Sequence, residues 1–223
     1  MLIAGFQKMS MMDYPKQPCC VIFTPYCNMN CTYCHNYHIL GKDAPLIEEE
    51  EVFAFLRKRK GMLKAVTVSG GEPTLQPNLI PFIRDVKAEG YLVKLDTNGS
   101  RPDVLSELLK ANLLDYVAMD IKTSAEQYPA VTRSKVAVSD VQKSILLLRN
   151  IGIAHEFRTT FAPEISREDI LAATDLIAGC ESYYLQQYRK RFDTDPEPHL
   201  PSYVQETAEA VREKIGVCTV RGI

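Results

Sequence analysis

Three cysteines, Cys27, Cys31 and Cys34, stand in the spacing CxxxCxxC, with Tyr33 just before the third and His35-Asn36 just after it. Thiolates this close along one loop can converge on a single metal centre. A closed structural zinc site takes four ligands, and a ferredoxin cluster is held by four cysteines. Three cysteines leave one metal position open, which is what a metal centre needs if it is to bind a substrate. The competing reading is a zinc loop completed by His35 or His38. The other four cysteines, Cys19, Cys20, Cys180 and Cys218, share no ligand spacing. Cys20, Cys180 and Cys218 fall in or beside expected strands, where a buried thiol behaves as a small hydrophobe.

Further motifs carry candidate groups. In Ser69-Gly70-Gly71-Glu72-Pro73, the two glycines lack side chains and let a ligand approach the backbone. Glu72 can accept hydrogen bonds from a cationic amine; the plainer reading is a tight turn with a surface charge. In Asp96-Thr97-Asn98-Gly99, Asp96 and Asn98 suit sugar hydroxyls, or simply form the turn. Asp120 and Lys122 flank Ile121, so both can face one interior. An inward charged pair needs partners: Lys122 meets a ligand carboxylate, or the two form an internal salt bridge. Arg158, in the middle of an expected strand, has the same two readings. Tyr33 can pack on a purine or fill the core.

These motifs share a position relative to the elements around them. Cys20-Val21-Ile22-Phe23 is a short apolar, β-prone run leading into the cysteine loop. Ala65 to Val68 runs into the Gly-Gly motif, Leu92 to Leu95 into Asp96, and Tyr116 to Met119 into Asp120. Residues 153–160 and 182–186 supply two more strands. Helices alternate with them. One opens at Pro45 and Glu48 to Glu51 with Val52, Phe55 and Leu56 inward. Others run from about Asn78 to Glu89, from Ser100 and Pro102, from a capping Ser139, from the capping-box-like Ser166-Arg167-Glu168-Asp169, and along Val204, Ala208, Val211 and Ile215. Residues 1–19 read as an extended lead-in, 123–137 as a long loop and 217–220 as a short final strand. Gly61, Gly90, Gly152, Gly179 and Gly216 each stand where a helical pattern stops, a position that asks for positive φ.

Six strand–helix units imply a parallel sheet. Eight would close a full barrel; six predict an α/β fold of incomplete (β/α)6 TIM type, open-sided, in a single domain spanning 1–223. The core is about 16–190, with a C-terminal helix and strand over 203–220. In α/β barrels the C-terminal strand ends form the face that carries chemistry, so motifs far apart in sequence are expected to meet in one site.

Composition bounds the rest. The chain has 223 residues, 46% of them hydrophobic, enough for one sizeable core. A net charge of −2 with 24% charged residues suggests neither a nucleic-acid stripe nor a membrane-surface protein. No apolar run approaches bilayer length, and the N-terminus lacks a signal-peptide layout. Seven cysteines, an odd number with three clustered, argue against a disulfide framework and for a reducing, cytoplasmic setting.

Taken together, Cys27, Cys31, Tyr33, Cys34, His35 and Asn36, the Gly70-Gly71-Glu72-Pro73, Asp96-Thr97-Asn98-Gly99 and Asp120-Ile121-Lys122 motifs, and the lead-in Ser10-Met11-Met12-Asp13-Tyr14-Pro15 resemble the radical S-adenosylmethionine (SAM) enzymes. The resemblance is to their glycyl-radical activating group, nearest to the activators of anaerobic ribonucleoside-triphosphate reductase and pyruvate formate-lyase. It covers about residues 5 to 190. It implies that Cys27, Cys31 and Cys34 hold three irons of a 4Fe-4S cluster whose fourth iron chelates the amino and carboxylate groups of SAM. It implies that Gly70, Gly71 and Glu72 lie along the methionine amino group, with Asp96, Asp120 and Lys122 near the ribose and carboxylate. It further implies an outside electron donor such as flavodoxin or ferredoxin, a 5′-deoxyadenosyl radical, and a glycyl radical made on a partner enzyme. One departure stands out: some activating enzymes place a histidine near the last barrel strand, where this chain reads Leu185-Gln186-Gln187-Tyr188-Arg189. Two other readings compete: a radical SAM enzyme for a small molecule, such as a carboxy-deazaguanine synthase, and a non-enzymatic metal or electron-transfer module.

Overall fold

The computed structural model describes residues 1–41 and 43–223. Its first element corrects an expectation. The lead-in is not merely extended: β1 (Gly5–Ser10) turns back on β2 (Cys19–Thr24) and pairs with it antiparallel, with Gly5 opposite Phe23. Gln7, Lys8 and Met9 are all exposed, so the strand lacks the alternation that marks a half-buried one.

From β2 onward strands and helices alternate. They are α1 (Glu49–Lys58), β3 (Ala65–Gly70), α2 (Leu79–Ala88), β4 (Leu92–Thr97), α3 (Pro102–Lys110), β5 (Tyr116–Asp120), α4 (Tyr128–Thr132), α5 (Val138–Ile151), β6 (His155–Phe161), α6 (Arg167–Ala173), β7 (Tyr183–Gln187), α7 (Pro201–Ile215) and β8 (Thr219–Arg221). Strands β2 to β8 are parallel and pair in chain order. Among the described residues no pairing joins β1 to β8, so the expected barrel stays open.

Local chemistry explains most boundaries. Glu49, Glu50 and Glu51 begin α1 and Arg57 and Lys58 end it, matching the helix dipole. Ser166 and Asp169 form a reciprocal capping box at α6. The five stop glycines all have φ between 73° and 89°. Two expectations fail. The stretch 123–137 contains α4, a five-residue helix too short to show a period. Helix α5 begins at Val138 with Ala137 at its N-cap, so Ser139 lies inside it.

The parallel strands have two unlike faces. One packs Ile22, Val68, Leu95, Met119, Phe157 and Leu185 against helix residues such as Leu56, Ile83, Leu108 and Ile145 in the main core. The other lines the barrel interior. Its lower part is filled by Tyr14, Cys19, Val21 and Ala65, with Tyr116 6.1 Å from Tyr14. Residues before β2 thus fill the barrel from below, and Thr67 donates from Oγ1 to the Asp13 carbonyl at 3.1 Å. The upper interior is polar.

Candidate active site

A cavity of about 410 Å³ lies at the C-terminal ends of the parallel strands. Cys27, Cys31, Tyr33, Cys34, Gly70, Gly71, Asp96, Asn98, Asp120 and Lys122 all line it, as do Asp13, Arg158 and Gln186. Motifs spread over a hundred residues therefore border one space. The loop after β2 is tied to its neighbours by short polar contacts. Asn28 donates to Ser100 Oγ at 2.8 Å and accepts from Asn98 Nδ2 at 3.0 Å. The Asn30 N–H donates to the Thr132 carbonyl at 2.8 Å, bringing α4 against the loop. Asn36 donates from Nδ2 to the Gly70 carbonyl at 2.8 Å.

The two glycines are required by the protein itself. The Gly71 N–H donates to the Thr24 carbonyl and the Glu72 N–H to the Tyr26 carbonyl, each at 2.8 Å. A Cβ on Gly71 would fall 1.9 Å from the Tyr26 oxygen, and one on Gly70 2.3 Å from the Thr24 nitrogen. The space freed by the missing side chains is taken by the base of the cysteine loop.

Glu72 is the one expected site residue absent from the cavity lining. It is fully buried. Its carboxylate accepts from the Thr74 N–H at 3.0 Å, Thr74 Oγ1 at 2.5 Å, Thr97 Oγ1 at 2.8 Å and the Asn98 N–H at 2.7 Å. Burial raises its pKa, and these donors pull the other way without cancelling that shift. The placement does not match an acceptor aimed at a ligand amine. Glu72 instead staples the loop after β3 to the loop after β4.

The upper interior holds a chain of alternating charges. Lys94 meets Asp96 at 2.6 Å, Asp96 meets Arg158 at 3.4 Å, Arg158 meets Asp120 at 2.9 Å, and Asp120 meets Lys122 at 3.0 Å. Ser69 Oγ also donates to Asp96 at 3.1 Å. Register creates this: Asp120 and Arg158 are direct neighbours on β5 and β6. Burial alone would raise the Asp120 carboxyl, but Arg158 and Lys122 outweigh it and hold it down at about 2. Asp96 is likewise lowered, its burial outweighed by Arg158 and Lys94. Burial works against the Lys122 ammonium, yet Asp120 keeps it charged. The internal salt bridge between Asp120 and Lys122 is thus formed. Lys94 escaped the sequence reading, although its spacing of two from Asp96 places both on the inner face.

The cysteines differ in setting. Burial pushes the Cys27 thiol up to about 12 and raises Cys31 as well. A metal ligand must be a thiolate, so binding there is coupled to proton release. His35 turns Nε2–H to the Arg189 carbonyl at 2.8 Å, and His38 is exposed on the next turn. Among the described residues no three His, Cys, Asp or Glu side chains converge closely enough to hold one ion. The engagement of His35 by the Arg189 carbonyl weighs against the zinc loop. Tyr33 is buried in the main core with a hydroxyl that has no partner among the described residues.

Comparison with known proteins agrees with this geometry. The model of the radical SAM superfamily matches residues 21–177. A protein of Methanocaldococcus jannaschii, described as a candidate glycyl-radical enzyme activating enzyme, is 36% identical over 205 residues, 88% of this chain and 83% of that protein. The pyruvate formate-lyase-activating enzyme of Clostridium pasteurianum is 31% identical over 168 residues, 70% of this chain and 68% of that protein. Among solved structures, a domain of pyruvate-formate lyase-activating enzyme from Bacteroides vulgatus shares the fold at TM-score 0.58 and 18% identity, covering 71% of this chain and 99% of that one. An open α/β barrel with three thiols at its upper rim, matched in sequence along most of its length, places this chain in the radical SAM superfamily, in the group of the glycyl-radical-enzyme activating enzymes.

Proposed function

We propose that this protein is an activase that makes a glycyl radical on a partner enzyme. The observation that carries the reading is that three thiols, a Gly-Gly turn and an ordered charge chain border one cavity at the strand ends. Soft thiolates suit iron–sulfur ligation, and cysteines that grip separate irons need only border a common space. Cys27, Cys31 and Cys34 hold the 4Fe-4S cluster. Lys122 ends the charge chain with Asp120 as its one carboxylate partner among the described residues, which supports the reading that its ammonium takes the SAM carboxylate. Asp96 and Asn98 face the ribose, and the buried, unpartnered Tyr33 hydroxyl offers a further polar contact. Backbone groups of Gly70 and Gly71, rather than the Glu72 carboxylate, border the methionine amino group.

When bound, the cluster supplies the electron that splits the sulfonium C–S bond of SAM into methionine and a 5′-deoxyadenosyl radical, which takes a hydrogen atom from a glycine Cα of the partner. The chain's own residues orient the two cofactors and exclude water around them. The partner is an anaerobic ribonucleoside-triphosphate reductase, with a pyruvate formate-lyase-type enzyme as the alternative. The donor is a flavodoxin or ferredoxin. Seven free thiols suit the cytoplasm, and among the described residues no helix is long and apolar enough to cross a membrane.

The test is anaerobic reconstitution with iron and sulfide, followed by dithionite-driven SAM cleavage. Wild type is expected to bind about four irons and release methionine, and Cys31→Ala to do neither while staying folded. Cleavage by Cys31→Ala at the wild-type rate would end the cluster assignment. Incubation with candidate glycyl-radical enzymes should then give the glycyl-radical doublet in an electron paramagnetic resonance (EPR) spectrum. Cleavage without that doublet in any candidate would move the reading to a small-molecule substrate.

A further inference from the structure

The segment following β7 reaches the cysteine loop. These two segments leave β7 and β2, which are separated by four strands around the sheet. One carboxylate organises the segment. Asp195 Oδ2 accepts from Tyr188 Oη at 3.0 Å, the Arg191 N–H at 2.8 Å, Arg191 Nε at 2.9 Å and the Phe192 N–H at 3.3 Å, and Oδ1 accepts from Arg191 Nη2 at 3.1 Å. Arg191 then spends its remaining terminal nitrogen outside the segment: Nη1 donates to the Cys34 carbonyl at 3.2 Å. Its guanidinium carbon lies 5.7 Å from the centre of the Tyr37 ring, and Phe192 packs edge-on against that ring at 5.5 Å. From the other side His35 donates to the Arg189 carbonyl and stands 5.9 Å from Tyr188.

The three cysteines are unequally supported. The stretch around Cys27 and Cys31 is tied down by Asn28, Asn30 and Asn98. Cys34 leads straight into an exposed turn, where Tyr37 and His38 face solvent. Beyond the Asn36–Gly70 bond, the polar contacts on its far side come from residues 188–195. A metal-ligand constellation must be held to within about half an ångström, and an exposed turn does not do this by itself.

We propose that Arg191, fixed by Asp195, is a positioning residue for Cys34, and that residues 188–195 form a clasp holding the third cysteine against the cavity. This rests on the reading of Cys34 as a cluster ligand, and the test separates the two. In metal-free protein, hydrogen–deuterium exchange over residues 34–40 is expected to rise in Asp195→Asn and Arg191→Met, with the strands unchanged. In reconstituted protein, Arg191→Met should alter the EPR line shape of the reduced cluster. It should also lose iron to a chelator on the order of tenfold faster. Arg191→Lys keeps the charge but cannot bridge two carboxylate oxygens and a carbonyl at once, so it should fall between. Wild-type exchange over 34–40 in both variants, or an unchanged EPR line shape in Arg191→Met, overturns the clasp. If wild-type protein takes up no iron, the cluster reading falls, and the exchange arm still decides whether the clasp exists.

Discussion

Asp120 sits between two cations, and its value is electrostatic. Its carboxyl is held at about 2 in the fold, against about 3.9 for an unfolded aspartate. A depressed folded pKa contributes stability that is fully present above about pH 4 and is lost as pH falls towards about 2. Asp120→Asn should therefore lower unfolding free energy by about 2 kcal/mol at neutral pH. Chemical denaturation at pH 7 and again near pH 3 checks this: the gap between variant and wild type should narrow on acidification. A gap that stays constant would mean that the ion pairs to Arg158 and Lys122 contribute nothing net.

At the level of elements, the turn after β3 and the loop after β2 are one construction. Gly71→Ala would drive a methyl into the Tyr26 carbonyl, a backbone atom that cannot swing aside. It should destabilise the metal-free protein by a few kcal/mol and abolish iron uptake, whereas Gly41→Ala, with nothing within 4 Å, should leave both unchanged. Equal melting temperatures for these two variants would refute that account. Strands β3, β4, β6, β7 and β8 were legible because each short apolar run begins just after a helix-stopping glycine with the required positive φ. Strand β1 was not, since three consecutive exposed residues hide its pairing. Nor was α4, whose five residues bury Tyr128, Val131 and Thr132 without completing a period. The motif spelling placed Glu72 at the site but could not say which way it turns. Its inward aim is set by Thr74, two residues on, and by Thr97 and Asn98, which become neighbours only after β3 and β4 pair.

Across the whole molecule the interior divides by height, with charge above and apolar packing below. The last strand is secured by a separate ion pair at the open edge. Arg221 on β8 makes a two-pronged pair with Glu156 at 2.8 and 3.0 Å and lies 3.3 Å over the Tyr184 ring. Glu156 is 1% exposed, so removing its partner strands a buried carboxylate that keeps Tyr116 Oη as donor. Arg221→Ala should cost roughly 2–3 kcal/mol and free the edge strand, seen as rapid amide exchange over residues 219–221. Protection equal to wild type there would show that the backbone ladder to β7 suffices.

Tyr14 and its neighbours give the barrel a stopper at the bottom. Traffic is therefore one-ended: a visitor to the thiols comes in by the rim and its open flank and must go out the same way. A molecule still in its seat therefore stands in the way of the next arrival.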